Sequence, residues 1–477
     1  MERFSTTVRV TIGAALGMGV LLLFAVACGG GGGASVRGQA ACGRGGATAN
    51  GHAPSSDKRA TEGGTADQSS DTDGFGTGGK VFTAVKGPVA GVRALAIQGD
   101  GRIVVTPGFF DLIRYTRKGR LDRRFGRGGK VQGDRAAWVG RNGAGSDAMA
   151  IQADGKIILA GSVQYGSLGE LGLTDFALAR YTPEGRLDRS FGKAGEVQTH
   201  LEPQSTLNIS SLALQRDGKI LAGGGTSGDS ALVRYTANGC LDPSFGRGGT
   251  ILTHAYTLHQ IALRDDGKIV VAYTGPNDKP EGFILARYTR HGKLDPSFGS
   301  GGLARTGRFR RPPGEPSYLP EDASPEAVAI RPDGKIVVAG LSSSGIALAR
   351  FTSDGHLDPS FGHGGMTDDD PQRRFSEQNG GVYAAAFQAD GKIVSVGRTV
   401  APHSDWKTNF ALVRHTVAGE LDTSFGDNGV VLANLGDTSE AYAVAIQRDG
   451  KIVAGGSGGK GPAVALARFL PDGRLDS

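Results

Sequence analysis

Two kinds of charged side chain recur together along this chain. Arginine stands at Arg114, Arg180, Arg234, Arg287, Arg350, Arg414 and Arg468, and aspartate at Asp122, Asp188, Asp242, Asp295, Asp358, Asp422 and Asp476. Such a repeated set could line a pore or hold a polyanion. The plainer chemistry is mutual. Each Arg ends an apolar run, and a buried guanidinium needs a carboxylate to accept its planar fork. The residues are therefore expected to form structural pairs, one per repeat, each pinning a long loop. Breaking a buried pair should cost a few kcal/mol.

Catalytic and metal signatures are weak by comparison. Gly455–Gly459 reads G-G-S-G-G and formally fits a nucleophile elbow, but no strand-to-helix turn surrounds it. Gly459-Lys460-Gly461 lacks the upstream Gly and the Ser/Thr of a phosphate-binding loop. The recurring D-G-x-L-D segment resembles a calcium loop until its first candidate ligand is compared between copies. That position holds Lys118, Glu184, Asn238, His291, Asp354, Ala418 and Asp472, a set no metal site tolerates. Asp71-Thr72-Asp73-Gly74 lacks the distal Glu of an EF-hand. The nine histidines are scattered, with His254 and His259 five apart and His403 close to Trp406. No H-E-x-x-H or paired-Cys spacing is present, so no metal and no cofactor is expected. The formal charge of +6 is spread over both signs, which leaves no nucleic-acid footprint.

The elements that must position these residues are short strands. The pair Asp-Gly begins at Asp100, Asp154, Asp217, Asp266, Asp333, Asp390 and Asp449, at intervals of 49 to 67 residues. That period belongs to propellers or arrays. Apolar runs such as Ala94–Ile97, Ala148–Ile151, Ala327–Ile330 and Ala443–Ile446 precede it. Others, such as Ile157–Ala160 and Ile336–Ala339, follow it, so the dipeptide reads as a hairpin turn that tolerates positive φ. A third run ends in the recurring Arg, and a short fourth run follows Phe-Gly-x-Gly-Gly, as in Lys80–Thr83. With 80 glycines and 7% aromatics, the chain has the composition of many turns between strands.

The last copy stops at Leu475-Asp476-Ser477, inside the phrase L-D-x-S-F-G-x-G-G, and Asp73–Val81 supplies the missing half. The expectation is an all-β, closed seven-bladed β-propeller of four-stranded blades, the last blade completed by the N-terminal strand. Closure of this kind leaves no open sheet edge. The phrase D-G-K-I-x-V-A-G, F-A-L-A-R-Y and L-D-x-S-F-G-x-G-G resembles the delta-60 repeat of bacterial proteins. The resemblance covers about 73–477 and implies a propeller, with no settled activity.

Ahead of the repeats lie two further segments. Residues 1–28 carry Arg3 and Arg9 before an apolar stretch, Val10–Ala27, the layout of a secretory signal peptide. Ala25-Val26-Ala27-Cys28 resembles a bacterial lipobox, which implies lipidation of Cys28 and anchoring in the envelope. The Gly that follows points to an outer membrane or cell surface. Residues 29–72 are rich in Gly, Ser, Ala, Thr and Asp, too poor in large apolar side chains to order themselves, and read as a tether. The three cysteines, Cys28, Cys42 and Cys240, are too few for a disulfide framework. Cys42 is expected as a free or mispaired thiol rather than the partner of Cys240.

Length variation marks a candidate recognition surface. The turns at Asp-Gly and the third-to-fourth connections keep their lengths, and both open on one face of a propeller. Insertions fall at Ser162–Asp175, Thr274–Gly282, Arg398–Asn409, Gly133–Ser146, Thr199–Ser210, Ala304–Glu326 and Thr367–Val382, all on the other face. They carry Trp138, Tyr165, Arg308, Arg310, Arg311, Tyr318, His403 and Trp406. Aromatic and arginine side chains of this kind are favoured in binding surfaces. Asp368-Asp369-Asp370 makes one loop acidic. The expectation is a monomeric, non-catalytic propeller that binds an envelope protein or an extracellular glycan, touching the membrane only through its lipid. The alternative is a carbohydrate-active hydrolase or lyase with its site in the central funnel.

Overall fold

A computed structural model describes residues 74–85, 91–133, 145–164, 174–201, 208–226, 229–275, 281–309, 323–342, 345–369, 371, 380–400, 407–436, 438–459 and 463–477. They form seven four-stranded antiparallel sheets, each a meander. Blade 1 runs through Ala94–Ile97, Ile103–Thr106, Leu112–Tyr115 and Lys130–Val131. Blade 7 takes Glu440–Ile446, Ile452–Ser457 and Ala463–Phe469 from the end of the chain and Lys80–Ala84 from its beginning. The closing strand pairs from Lys80 opposite Ala467 to Ala84 opposite Ala463. The first strands of neighbouring blades touch one another all the way round, which makes them the inner wall of a closed ring.

Cores lie between blades rather than within them. Seven apolar clusters each join the facing sides of two neighbours, and the one holding Phe75, Ile103, Tyr115, Val453 and Leu466 seals blade 7 to blade 1. A sheet packed on both faces leaves every residue of the third strand Thr174–Tyr181 buried, including its apolar run Phe176–Ala179. Each fully buried Leu, Ile or Phe contributes about 2 kcal/mol.

The hairpin turn differs from a two-residue loop. In Gln152–Lys156 the Gly155 N–H donates to the Gln152 carbonyl, and the Gln152 N–H donates to the Lys156 carbonyl. Positive φ falls on the glycine alone, 81° at Gly155. This is a three-residue loop with glycine in the left-handed position. The aspartate contributes otherwise: Asp154 Oδ1 accepts the Lys156 N–H at 3.1 Å.

At the same face each blade is latched to the next. All seven Arg–Asp pairs form, with Nε to Oδ2 distances of 2.5 to 2.9 Å. The guanidinium is not spent on one carboxylate. In blade 4, Arg287 donates Nε to Asp295, one terminal nitrogen to Ser297 Oγ and the other to the Ser353 carbonyl of blade 5. It also stands 4.6 Å from the centre of the Phe298 ring. The Lys after Asp-Gly joins the same carboxylate, as Lys268 does at 2.9 Å from Asp295. Blade 1 substitutes Arg102 for that lysine. Where the ring closes, Arg468 of blade 7 stands over Phe75 from the N-terminal segment and reaches the Arg117 carbonyl of blade 1. The Phe also needs room: a Cβ on Gly185, in blade 2, would lie 2.8 Å from Phe125 of blade 1.

Candidate functional site

The inner strands are longer than their apolar runs. They span Gly145–Ile151, Ile209–Leu214, Thr257–Leu263, Ser324–Ile330, Gly380–Phe387 and Glu440–Ile446 in blades 2 to 7. In all six the register slips by one residue near the middle. The extra residues are Asp147, Ser210, His259, Glu326, Tyr383 and Tyr442. Blade 1 does the same just before its strand, where Arg93 and Ala94 both face Thr106. The second strand makes room for the bulge. An added Cβ at Gly340 would lie 1.9 Å from the Ser324 carbonyl oxygen, and one at Gly456 1.8 Å from that of Glu440. A glycine opposite the bulge thus makes room for it in blades 3, 5, 6 and 7, at Gly224, Gly340, Gly397 and Gly456, whereas blade 4 carries Tyr273 there. Bulges re-aim side chains next to functional sites.

The consequence is a ring. Going round the axis, Arg93, Asp147, Ser210, His259, Glu326, Tyr383 and Tyr442 occupy one equivalent position on the inner wall, where the next residue is Ala in five blades and Ser or Gln in the other two. Several touch across blade seams. The Tyr383 and Tyr442 rings lie 5.3 Å apart at 35°. Ser210 Oγ donates to the Leu258 carbonyl of the next blade at 3.0 Å. Arg93 is coupled electrostatically to Asp147 on one side and Tyr442 on the other.

Burial sets the protonation of this ring. Desolvation lowers the Arg93 guanidinium, an effect Asp147 opposes, and pushes the Asp147 carboxyl up against the pull of Arg93. His259, 6% exposed, is lowered to about 4 by burial. Its Nε2 meets Thr274 Oγ1 at 3.0 Å, while Nδ1 is buried without a hydrogen-bond partner. Glu326, also 6% exposed, is raised to about 8 by burial, which outweighs a 2.9 Å hydrogen bond from Ser324 Oγ. At neutral pH both are uncharged. Beside the tyrosines, Arg398 donates to Glu440 Oε1 at 2.8 Å, and the Tyr442 hydroxyl donates to Glu440 Oε2. Burial, more than its Glu440 neighbour, raises the Tyr442 phenol.

The residues singled out from sequence on the insertion face are not among the seven of the ring. Arg308 is described and exposed. Trp138, Tyr165, Arg310, Arg311, Tyr318, His403 and Trp406 lie outside the described residues, as does Cys28. Asp368 and Asp369 belong to a strand, Met366–Asp369, rather than a loop, and Ser342 Oγ donates to Asp368 at 2.7 Å. Cys42, expected as a free or mispaired thiol, also lies outside the described residues, whereas Cys240 is disulfide-bonded. Cys240 sits half-buried in the third-to-fourth connection of blade 3. The bulge ring was missed. Its signal was available as a polar or aromatic residue directly before each A-x-A-I-like run, at the point where alternation breaks.

A model described as "Domain of unknown function (DUF5122) beta-propeller" matches residues 152–191, 215–245, 264–298, 331–361, 388–425 and 447–477. Each match runs from the hairpin turn through the latch of one blade, in blades 2 to 7. No curated protein matches the chain in sequence. Among solved structures, a catalytically inactive virginiamycin B lyase from Staphylococcus aureus, crystallised with quinupristin, is 10% identical with a TM-score of 0.46, covering 82% of this chain and 99% of its own. The extracellular domain of a hybrid two-component system from B. thetaiotaomicron is 12% identical at 0.43, over 82% and 40%. A glucose dehydrogenase-type oxidoreductase from Thermus thermophilus is 14% identical at 0.37, over 82% and 100%. Likenesses this distant carry nothing about activity. The chain is a β-propeller repeat protein, and six of its seven blades match that family model.

Proposed function

We propose that this protein is an envelope-tethered, non-catalytic propeller that binds a protein or glycan at the insertion-face end of its central channel. The observation that carries the reading is the bulge ring. Seven equivalent backbone positions project six different residue types where a purely structural ring would repeat one. Polar and aromatic groups gathered in a concave, loop-rimmed place are the usual make-up of a ligand site. Export is supported by the N-terminal segment and by the disulfide at Cys240, since such bonds persist in oxidising compartments.

A second reading, a hydrolase or lyase acting in the channel, is favoured by one observation. Glu326 is a carboxylic acid held protonated near neutrality, as a general acid must be. One experiment separates the two. Envelope proteins and polysaccharides are passed over the immobilised protein and over its Trp138→Ala/Trp406→Ala and Tyr383→Ala/Tyr442→Ala variants, and bound glycan is assayed for cleavage. Retention lost in folded variants, without product, supports binding. Turnover abolished by Glu326→Gln supports the enzyme, and equal retention by all forms defeats both.

A further inference from the structure

The seams joining blades 6, 7 and 1 differ from the rest of the ring in carrying its two tyrosines, with Arg398 and Glu440 beside them. Tyr383 and Tyr442 are both bulge residues, half-buried and in ring contact across the blade seam. They offer aromatic surface at the channel wall at low entropic cost. Below them the Glu440 carboxylate is fixed by both oxygens, one to Arg398 and one to the Tyr442 hydroxyl. The Arg398 Nε is buried and has no hydrogen-bond partner.

The charges here cancel in pairs. Arg398 is offset by Glu440 at 2.8 Å, and Arg93 faces Asp147 in the neighbouring blade. An anionic ligand would need a guanidinium with free capacity for two parallel bonds and no carboxylate competing for it. A cationic ligand in an aromatic cage would meet Arg398 beside the rings. What the seam offers instead is a flat aromatic surface flanked by fixed donors and acceptors with no net charge. That combination suits a molecule with apolar C–H faces and many hydroxyls.

We infer that Tyr383, Tyr442, Arg398 and Glu440 form a subsite for an uncharged sugar ring, so that the ligand of this propeller is a neutral glycan. The inference rests on the binding reading above and narrows it. A pyranose stacks its C–H face on a tyrosine ring, and its hydroxyls pair with Glu440 and the exposed part of the Arg398 guanidinium.

The test is calorimetric titration of the full chain in detergent with hexasaccharides of three kinds. Neutral probes are β-glucan, α-glucan and N-acetylglucosamine hexamers; the charged probes are hexagalacturonate and a glucosamine hexamer. The expected result is binding of at least one neutral probe and at least tenfold weaker binding of both charged ones. Affinity should fall at least tenfold in Tyr383→Ala/Tyr442→Ala and in Glu440→Gln, and stay unchanged in Arg216→Ala, an exposed turn residue on the opposite face. The Tyr383→Phe/Tyr442→Phe variant, which keeps the rings, guards against misfolding and should retain most of the affinity. Preference for a charged probe, or neutral binding untouched by the tyrosine changes, overturns the subsite. If no oligosaccharide binds, the inference falls, while retention of an envelope protein by the same preparation would leave the broader binding reading standing.

Discussion

Each blade carries the same latch near one end and a different bulge residue toward the other. Seven arginines meet seven aspartates with nearly the same geometry, whereas the bulge position presents Arg, Asp, Ser, His, Glu, Tyr and Tyr in turn. The backbone is equivalent in both places, so the contrast lies in the side chains. Repetition at the latch is explained by a task every seam shares, holding one blade to the next. Variety at the bulge has no such explanation, because packing the inner wall would be met by the Ala and Val that neighbour it. The energetics point the same way. The latch places each of the three nitrogens of Arg287 on a partner, while the ring leaves His259 Nδ1 unpaired. Unpaired buried groups cost stability and are kept where they serve a ligand.

The largest effect should come from breaking a latch. Asp295→Ala leaves Arg287 and Lys268 without their carboxylate and should lower unfolding free energy by about 3–5 kcal/mol in a denaturant titration. The latch aspartates also predict acid lability. Burial alone would raise Asp188 and Asp242, but the serine hydroxyl and amide, the lysine and the arginine outweigh it and hold both at about 2. Stability from these groups is present above the ordinary carboxylate range and is lost as pH falls toward 2.

Next in size, the disulfide at Cys240 on the constant face should contribute about 2–4 kcal/mol, lost on reduction. Peptide mapping without reductant should recover Cys240 joined to Cys42 if Cys28 carries lipid. Recovery of Cys240 as a free thiol would remove the support it lends to export.

The ring predicts a pH response of opposite sign. Glu326 binds a proton in the folded state up to about 8 and in the unfolded state only to the ordinary glutamate range, so folding stability falls as pH rises between them. His259, lowered to about 4, does the reverse between 4 and its ordinary value near 6.5, and the two largely offset there. From about pH 6.5 to 8 Glu326 acts alone, with a slope approaching 1.4 kcal/mol per pH unit, roughly the linkage limit for one proton. Glu326→Gln should flatten that stretch; an unchanged slope would mean another group causes it.

The smallest effect sharpens the latch side. In Phe-Gly-x-Gly-Gly the second glycine is replaced by Ala194 in blade 2, which holds φ at 57°, while the equivalent Gly128 has open space around its would-be Cβ. Ala194→Gly should raise stability by about 1 kcal/mol, measurable as a rise of a few degrees or less in Tm.

Much of the fold was legible because its rules are local and repeated. The Asp-Gly turns, the four runs per copy and the split phrase at the two chain ends each state the same architecture. The Arg–Asp spacing pointed to the pairs, though not to the sharing of each guanidinium with the next blade, since that partner lies some 60 residues away. The ring was illegible for a physical reason. A bulge breaks the two-residue period, so a strand read by alternation stops at Ala327 and leaves Glu326 in an apparent loop. Attention then moved to the insertions and their tryptophans. The Gly opposite the bulge, as in Val338-Ala339-Gly340, was the overlooked sign that the inner strand continues.

The separation of stability from recognition is tested most directly by one set of unfolding titrations. Each latch arginine and each ring residue is changed singly to Ala, and unfolding free energies are compared across the fourteen variants. The account predicts losses of about 3 kcal/mol or more at every latch, and changes within about 1 kcal/mol, or gains, at Arg93, Asp147, Ser210, His259, Glu326, Tyr383 and Tyr442. Ring variants that lose as much as the latches would contradict it, and would make the ring part of the scaffold rather than the site.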